Sequence, residues 1–300
     1  ASLAALGLLL PVAGTGSVAV AAVQGSVPRP ALAPEQQRAV VLDSHLALTT
    51  GSQVGGARLV VWPEDVVAGD PLRDAAVRQR IDAAVAQVDR PVLVGGLVRD
   101  PGSSGPTNSS LLWLPRSGMV ERYDKVHIVP FGEYLPMRDF LEKRIGRFDL
   151  IPQDMQAGER PGIFTDAVDV FGVLICFEVA YDDHVRQLVD RGAHYIVVQS
   201  NNATYLATDQ PRQQFAITRF RALEHARGLV VATTTGVTGV VDERGRVTAT
   251  APTLRPAVVQ GDVPLVQGVT VADRTGDWVT PLSLVVLAVA WRRARRRRRA

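Results

Sequence analysis

The chain of 300 residues is long enough for one large domain or two small ones with a sizeable core. Its net charge of +3 is set by the end of the chain: RRARRRRRA from Arg292 holds seven arginines, and taking them from the 33 Lys and Arg leaves 26 against 30 acidic residues. The basic balance therefore belongs to a tail and describes no nucleic-acid-binding face, and a single cysteine excludes a disulfide scaffold and a multi-thiolate zinc site.

The chain begins ASLAALGLLLPVAG, an apolar stretch with no initiating Met and no basic residue ahead of it. Residues 1–13 are expected to be the end of a membrane helix, with a signal-peptide core as the other reading. VAVAAVQ, Val18 to Gln24, reads as a first strand. Pro34 to Thr49 carries Val40, Val41, Leu42 and Leu46 in a helical pattern. Leu59 to Trp62 is a second strand, stopped by Pro63. Leu72 to Val88 is an amphipathic helix and Val92 to Val98 a third strand. DPGSSGPTNSS, from Asp100, reads as a surface turn. Ser110 to Leu114 and Met119 to Tyr123 then make a hairpin.

Asp124 to Gly162 is long, aromatic and rich in Pro and Gly. Loops of that length in a compact domain are usually functional, and its Phe131, Tyr134, Leu135, Met137, Phe140, Phe148 and Leu150 suggest a lid over an acyl chain. Beyond it come a strand at Phe171 to Cys176, a helix near Asp183 to Arg191, a strand at Tyr195 to Gln199, a helix at Gln210 to Arg227 and a strand at Leu229 to Thr234. A hairpin, Thr238 to Val241 with Arg246 to Ala249, and a last strand, Val258 to Val263, complete the body. Hairpins interrupt the alternation of strand and helix, which predicts a mixed sheet with helices outside.

FGVLICFE, Phe171 to Glu178, puts Cys176 at the carboxyl end of a buried strand. Ligands bind at that edge of open α/β sheets. A lone cysteine is either a small buried hydrophobe or a nucleophile, and a nucleophile needs a base and oxyanion donors. His45, His127, His184, His194 and His225 stand in no cysteine-protease context and read as surface or supporting residues. VVWPED places Glu64 just beyond a strand, where a plain acidic loop residue or helix cap is the other reading. RYDKVHIVPFGEYLP, Arg122 to Pro136, sets Lys125 and Glu133 eight apart in apolar loop sequence; solvated charges are the bland alternative.

Together these three stretches resemble the nitrilase superfamily of carbon–nitrogen hydrolases from about Val18 to Asp277. Within it they are most similar to the apolipoprotein N-acyltransferase branch, through VQGSVP, WPE, the K-x-H-x-V-P-F-G-E-x-x-P pattern, RALEHAR at Arg221 to Arg227 and RTGDWVTPL at Arg274 to Leu282. The resemblance implies an α/β fold, an αββα sandwich. It implies Glu64 as general base, Lys125 as oxyanion stabiliser aided by the N–H after Cys176, and Cys176 as carrier of an acyl thioester. Glu133 is expected to orient Lys125, Glu178 to hold the incoming amine, and Phe177 to keep an aromatic ring after the cysteine without a hydroxyl. No cofactor and no metal is implied. The implied partners are a phospholipid acyl donor, a diacylglyceryl apolipoprotein acceptor and the membrane. SNNATYL at Ser200 to Leu206 and TTTGVTG at Thr233 to Gly239 depart from the family pattern, and a tryptophan expected after the first strand is absent. A soluble amidase with water as acceptor and an inactive membrane-tethered binding protein are the alternative functions.

Trp278 to Trp291 is fourteen residues, about 21 Å as a helix, against a hydrocarbon core of about 30 Å. Tryptophan at both ends and the arginines directly after it favour a membrane helix at 278–291 with a cytoplasmic tail at 292–300. The catalytic domain, 18–277, is then expected on the outer face of a bacterial plasma membrane.

Overall fold

The computed structural model describes residues 12–25, 33–67, 69–138, 140, 153–165, 168–205 and 208–297. Two six-stranded sheets lie face to face with helices on their outer faces. The first runs in the order β12 (Ala257–Gln267), β1 (Ala13–Gln24), β2 (Leu59–Val61), β3 (Val92–Val98), β4 (Thr107–Leu114), β5 (Gly118–Asp124). The second runs β11 (Val247–Thr250), β10 (Gly239–Val241), β9 (Gly228–Thr233), β8 (Tyr195–Ser200), β7 (Phe171–Ile175), β6 (Gly162–Phe164). In each sheet parallel pairs sit in the middle and antiparallel strands at the sides: β1·β2·β3 and β7·β8·β9 are parallel.

Alternation along the strands builds the layers, because successive side chains leave opposite faces. On β1, Val18, Val20 and Ala22 join Val173, Ile175, Val197 and Val230 in the core between the sheets. Ala21 and Val23 face the other way, against Val41 and Leu42 of α1 (Pro34–Thr50) and Ile81 and Val85 of α2 (Ala75–Val88). Leu174, Ile196 and Val198 likewise pack outward on Val185 and Leu188 of α3 (Asp182–Asp190) and Ala222 of α4 (Gln210–His225). This is the expected αββα sandwich.

Several boundaries move for identifiable reasons. β1 starts at Ala13, within the gly-rich AGTGS, because β12 pairs along its whole length from Ala13↔Gln267 to Gln24↔Ala257. α2 starts after Asp74, whose carboxylate accepts the N–H groups of Ala76 and Val77 at 3.0 and 3.1 Å. Thr107, Asn108, Ser109 and Ser110, expected in a surface turn and its edge, are buried in β4.

Residues 1–11 of the expected N-terminal membrane helix lie outside the described residues. At the other end α5 (Val271–Thr275) leads to α6 (Val279–Arg297), which continues through the arginine run. Among the described residues no helix is long and apolar enough to cross a membrane. The apolar side chains of α6 are nevertheless exposed, from Leu282 at 51% to Trp291 at 56%.

Candidate active site

β7 ends at Ile175, and the next residue, Cys176, has φ +57°. A non-glycine residue in the left-handed region costs on the order of 1–3 kcal/mol and persists only where its surroundings fix it. Glu178 fixes it. Cys176 opens a 3-10 turn that runs to Ala180, and the turn carries Glu178 into the interior, with no exposed surface. Its Oε2 accepts the N–H of Ile175 at 2.8 Å, and its Oε1 accepts those of Val126 and His127 at 2.8 and 3.0 Å. Tyr123 Oη donates to the same carboxylate at 2.8 Å. Burial pushes the Glu178 carboxyl up, while the N–H groups of Ile175 and His127 and the hydroxyl of Tyr123 pull it back. The expected amine-holding role does not fit this geometry, because every contact of the carboxylate is internal. Glu178 instead ties the segment after Lys125 to the turn at Cys176.

Lys125 follows directly on β5. Its Nζ lies 2.7 Å from Glu133 Oε1 and 3.2 Å from Glu64 Oε1, with 1% of the side chain exposed. Glu64 reaches it from the turn after β2. That turn passes over β3 at Gly95, where a Cβ would collide with the Pro63 carbonyl and the Glu64 backbone. Glu133 comes from the loop after β5, where its Oε2 accepts the N–H of Val129 at 2.7 Å. Burial works to lower the affinity of Lys125 for its proton, but Glu64, Cys176 and Glu133 outweigh it and hold the ammonium above its usual range. Lys125 is thus a fixed cation between two carboxylates, Glu64 and Glu133.

The Cys176 thiol feels the same charges. Burial pushes it up to about 12, Glu64 pushes the same way, and Lys125 and a hydrogen bond from Ser200 oppose them. At neutral pH it is a thiol, so it needs a base at the moment it reacts. It opens on a cavity of about 310 Å³ walled by Val129, Phe177, Tyr205 and Ile217, with Gln213 and Gln214 at one side. Phe177 is half exposed at its rim and meets Tyr181 edge-on at 6.3 Å.

Several contributors escape a reading of the sequence. Asn108 Nδ2 donates to Glu64 at 2.7 Å and to Glu133 at 3.0 Å, bridging the two carboxylates that hold Lys125. Its TNSS context reads as a turn. The backbone N–H of Asn201 donates to Glu64 Oε2 at 2.6 Å, so SNNATYL reaches the site through its main chain. Gln214 donates to Ser200 at 2.7 Å. Asp65, with φ +56°, has its carboxyl pushed up to about 7 by burial and by Glu64, against the pull of Lys125. Of the histidines, His127 stacks on Tyr181 at 4.0 Å, His184 lies 3.1 Å from Tyr123 Oη and His194 pairs with Asp169, whereas His45 and His225 are buried away from the surface, on Val41 and Gly25 and on Asp273.

Comparison with known proteins gives the family and agrees with the fold. The family profile described as carbon-nitrogen hydrolase matches residues 19–272. The chain is similar to a protein named apolipoprotein N-acyltransferase from Mycolicibacterium smegmatis, 36% identical over 293 residues, which covers 92% of this chain and 49% of that protein. It is similar to proteins of the same name from Vibrio vulnificus (30% over 251 residues, 80% of this chain, 49% of that one) and Geobacter metallireducens (30% over 248 residues, 80% and 47%). The chain spans about half the length of these relatives. Among solved structures it resembles an amidase from Nesterenkonia sp., with a TM-score of 0.63 and 19% identity over 84% of this chain and 92% of that one. It also resembles Saccharomyces cerevisiae Nit3, of the nitrilase superfamily, with a TM-score of 0.62 and 17% identity over 84% and 91%.

Proposed function

Because the chain belongs to the carbon-nitrogen hydrolase family, we propose that it is the catalytic part of an apolipoprotein N-acyltransferase. The observation that carries this reading is the buried Lys125, fixed between Glu64 and Glu133 and acting on Cys176 at the mouth of a largely apolar cavity. The relatives of that name, 30–36% identical, support the choice of reaction.

In the proposed cycle Glu64 takes the thiol proton as Cys176 Sγ attacks the ester carbonyl of a phospholipid. Lys125 and the backbone N–H of Phe177 hold the oxyanion. The C–O bond breaks, Glu64 returns the proton to the departing alkoxide, and a lysophospholipid leaves with the acyl group bound to sulfur. The α-amino group of an S-diacylglyceryl-cysteine at a lipoprotein N-terminus then attacks the thioester. Its proton passes to Glu64 and on to the leaving thiolate, which closes the cycle with an N-acyl amide as product. A thiol that is neutral at rest suits this scheme, since a neighbouring carboxylate moves the proton in each half.

The catalytic part sits on the extracytoplasmic face of a bacterial plasma membrane in this reading. α6 supports it: a row of exposed apolar side chains between Trp278 and Trp291 is left in water by the rest of the fold, and Arg295 stacks over Trp291 at 4.2 Å. Burying that row in lipid or against other membrane segments would recover roughly 25 cal/mol per Å² of apolar area, with the arginines at the charged surface.

The test is incubation of membrane-purified protein with phospholipid and a diacylglyceryl-cysteine peptide, followed by mass analysis of the peptide. N-acylated peptide is the expected product. Free fatty acid formed at the same rate with or without peptide would move the reading to an amidase-like hydrolase. No acyl release at all would leave a binding protein.

A further inference from the structure

β8 ends beside the nucleophile. Ile175 pairs with Gln199, so the next residue of each segment brings Ser200 alongside Cys176. The three residues from Ser200 to Asn202 then serve three different partners. Ser200 hydrogen-bonds the Cys176 thiol, and the N–H of Asn201 holds Glu64 Oε2 at 2.6 Å. Asn202 turns to α4, where its Nδ2 donates to Gln214 Oε1 at 3.0 Å. Gln214 Nε2 in turn donates to Ser200 Oγ at 2.7 Å. Ser200 and Asn202 are buried, and Asn202 and Gln214 line the cavity on which Cys176 opens.

The direction of these bonds follows from what each group can do. Asn202 is held by its surroundings: its N–H donates to Thr234 Oγ1 at 3.2 Å, and its Oδ1 lies over Gly236, where a Cβ would collide with it. That leaves Nδ2 for Gln214. A primary amide accepts at one end and donates at the other, so with Oε1 taken by Asn202, Gln214 presents Nε2 to Ser200. The serine hydroxyl has a single proton. Its oxygen accepts from Gln214, and the proton is therefore free for sulfur, where it pulls the thiol down against burial.

A hydroxyl aimed at sulfur acts most strongly when sulfur carries charge, because hydrogen bonds to an ionised partner are roughly twice as strong as neutral ones. Sulfur gains charge twice in the proposed cycle. The first time is when Glu64 takes the thiol proton. The second is when the C–S bond of the second adduct breaks and its electron pair stays on sulfur until Glu64 returns the proton. We infer that Ser200 is a further catalytic residue, donating a hydrogen bond to Cys176 Sγ in both steps, and that Gln214 and Asn202 are positioning residues that set the direction of this donation. The inference rests on Cys176 as the nucleophile of the proposed reaction.

Cys176 is the only cysteine of the chain, so alkylation of the full chain by iodoacetamide reads its sulfur alone and needs no acyl donor. Ser200→Ala should slow alkylation by roughly tenfold, the scale of one hydrogen bond to a charged group. Asn202→Asp keeps the shape of the side chain but can only accept. Gln214 must then offer it Nε2 and turn Oε1 to Ser200, which draws the hydroxyl proton away from sulfur. Asn202→Asp should therefore slow alkylation too, and adding Ser200→Ala to it should cost no more than about twofold further, because the donor is already lost. The added charge is common to both members of that comparison. A variant on the partly exposed helix spares the buried strand end: Gln214→Glu should slow alkylation more than Gln213→Glu, which brings the same charge to the same cavity. Ser200→Ala alkylated at the wild-type rate, effects of Asn202→Asp and Ser200→Ala that multiply in full, or equal rates for the two glutamate variants overturn the inference. The expected alkylation rates in a protein that N-acylates no diacylglyceryl-cysteine peptide would uphold the Ser200 donation and sink the proposed reaction.

Discussion

Glu178 stands two residues beyond Cys176, yet its carboxylate reaches back to the N–H of Ile175, one residue before the cysteine, at 2.8 Å. The same carboxylate holds Val126 and His127, directly after Lys125. The nucleophile's turn and the lysine's segment are thus fastened to one buried group. Glu178→Gln places an amide N–H₂ against N–H donors. It is expected to lower stability by about 1–3 kcal/mol in urea unfolding, and to slow Cys176 acylation and transfer together. Unchanged stability with only the transfer step slowed would return Glu178 to an amine-binding role.

Lys125 is expected to act as a placed charge. Lys125→Ala removes it, and Lys125→Arg keeps the charge but changes the donor geometry. Both should cost roughly 10²-fold or more in kcat, the scale of losing an oxyanion donor. Removing one partner of a buried pair costs on the order of 3–5 kcal/mol, so the loss should be read alongside thermal unfolding. Near-normal turnover of a folded Lys125→Ala variant would place the oxyanion elsewhere.

A pH dependence of stability follows from His45. It is wholly buried, accepts the N–H of Gly25 at Nε2, and burial lowers it to about 4. A group whose pKa is lowered on folding contributes stability that is present above its unfolded pKa of about 6.5 and is lost as pH falls towards 4. The contribution is about 3 kcal/mol over that window. Asp65, raised to about 7, works in the opposite sense: its contribution grows as pH falls from 7 towards 4. The clean readout is therefore the difference between wild type and His45→Gln in urea unfolding at pH 7 and pH 4.5. The gap should narrow in acid, and a constant gap would mean that His45 takes up its proton in the folded state.

The loop after Lys125 carries Phe131, Met137 and Phe140 at 61%, 73% and 52% exposure. Phe131 and Met137 both have positive φ, while Leu135 between them is buried and its N–H is held by Asp154 at 2.8 Å. A pinned base with exposed apolar tips suits contact with lipid. Hydrogen exchange across 126–140 should slow in the presence of phospholipid vesicles, and equal exchange with and without them would make the loop a fixed cover.

Much of this was legible in the sequence because apolar strands end at the residues that matter. Glu64 and Cys176 each follow a fully buried apolar strand, β2 or β7, whereas Lys125 follows β5, GMVERYD, which is largely half-buried, and stands out only by its motif. The direction of Glu178 was not legible. A continuing strand would have set it on the same face as Cys176, and only the left-handed φ at the cysteine turns it inward. Asn108 was hidden because Thr, Asn and Ser are turn formers locally, and their burial comes from the strands on either side, β3 and β5. The early start of β1 has a similar cause: Ala13 to Ser17 have no strand pattern of their own and owe it to pairing with β12.

The most direct test of the proposed chemistry is the intact mass of the protein after incubation with phospholipid of one defined acyl chain. The expected result is a single added acyl mass, mapped to Cys176 and absent from Cys176→Ala. That mass should be stable in buffer and discharged by a diacylglyceryl-cysteine peptide. A peptide that becomes N-acylated while Cys176 never carries the acyl group, or a Cys176→Ala variant that still transfers, would contradict a thioester route.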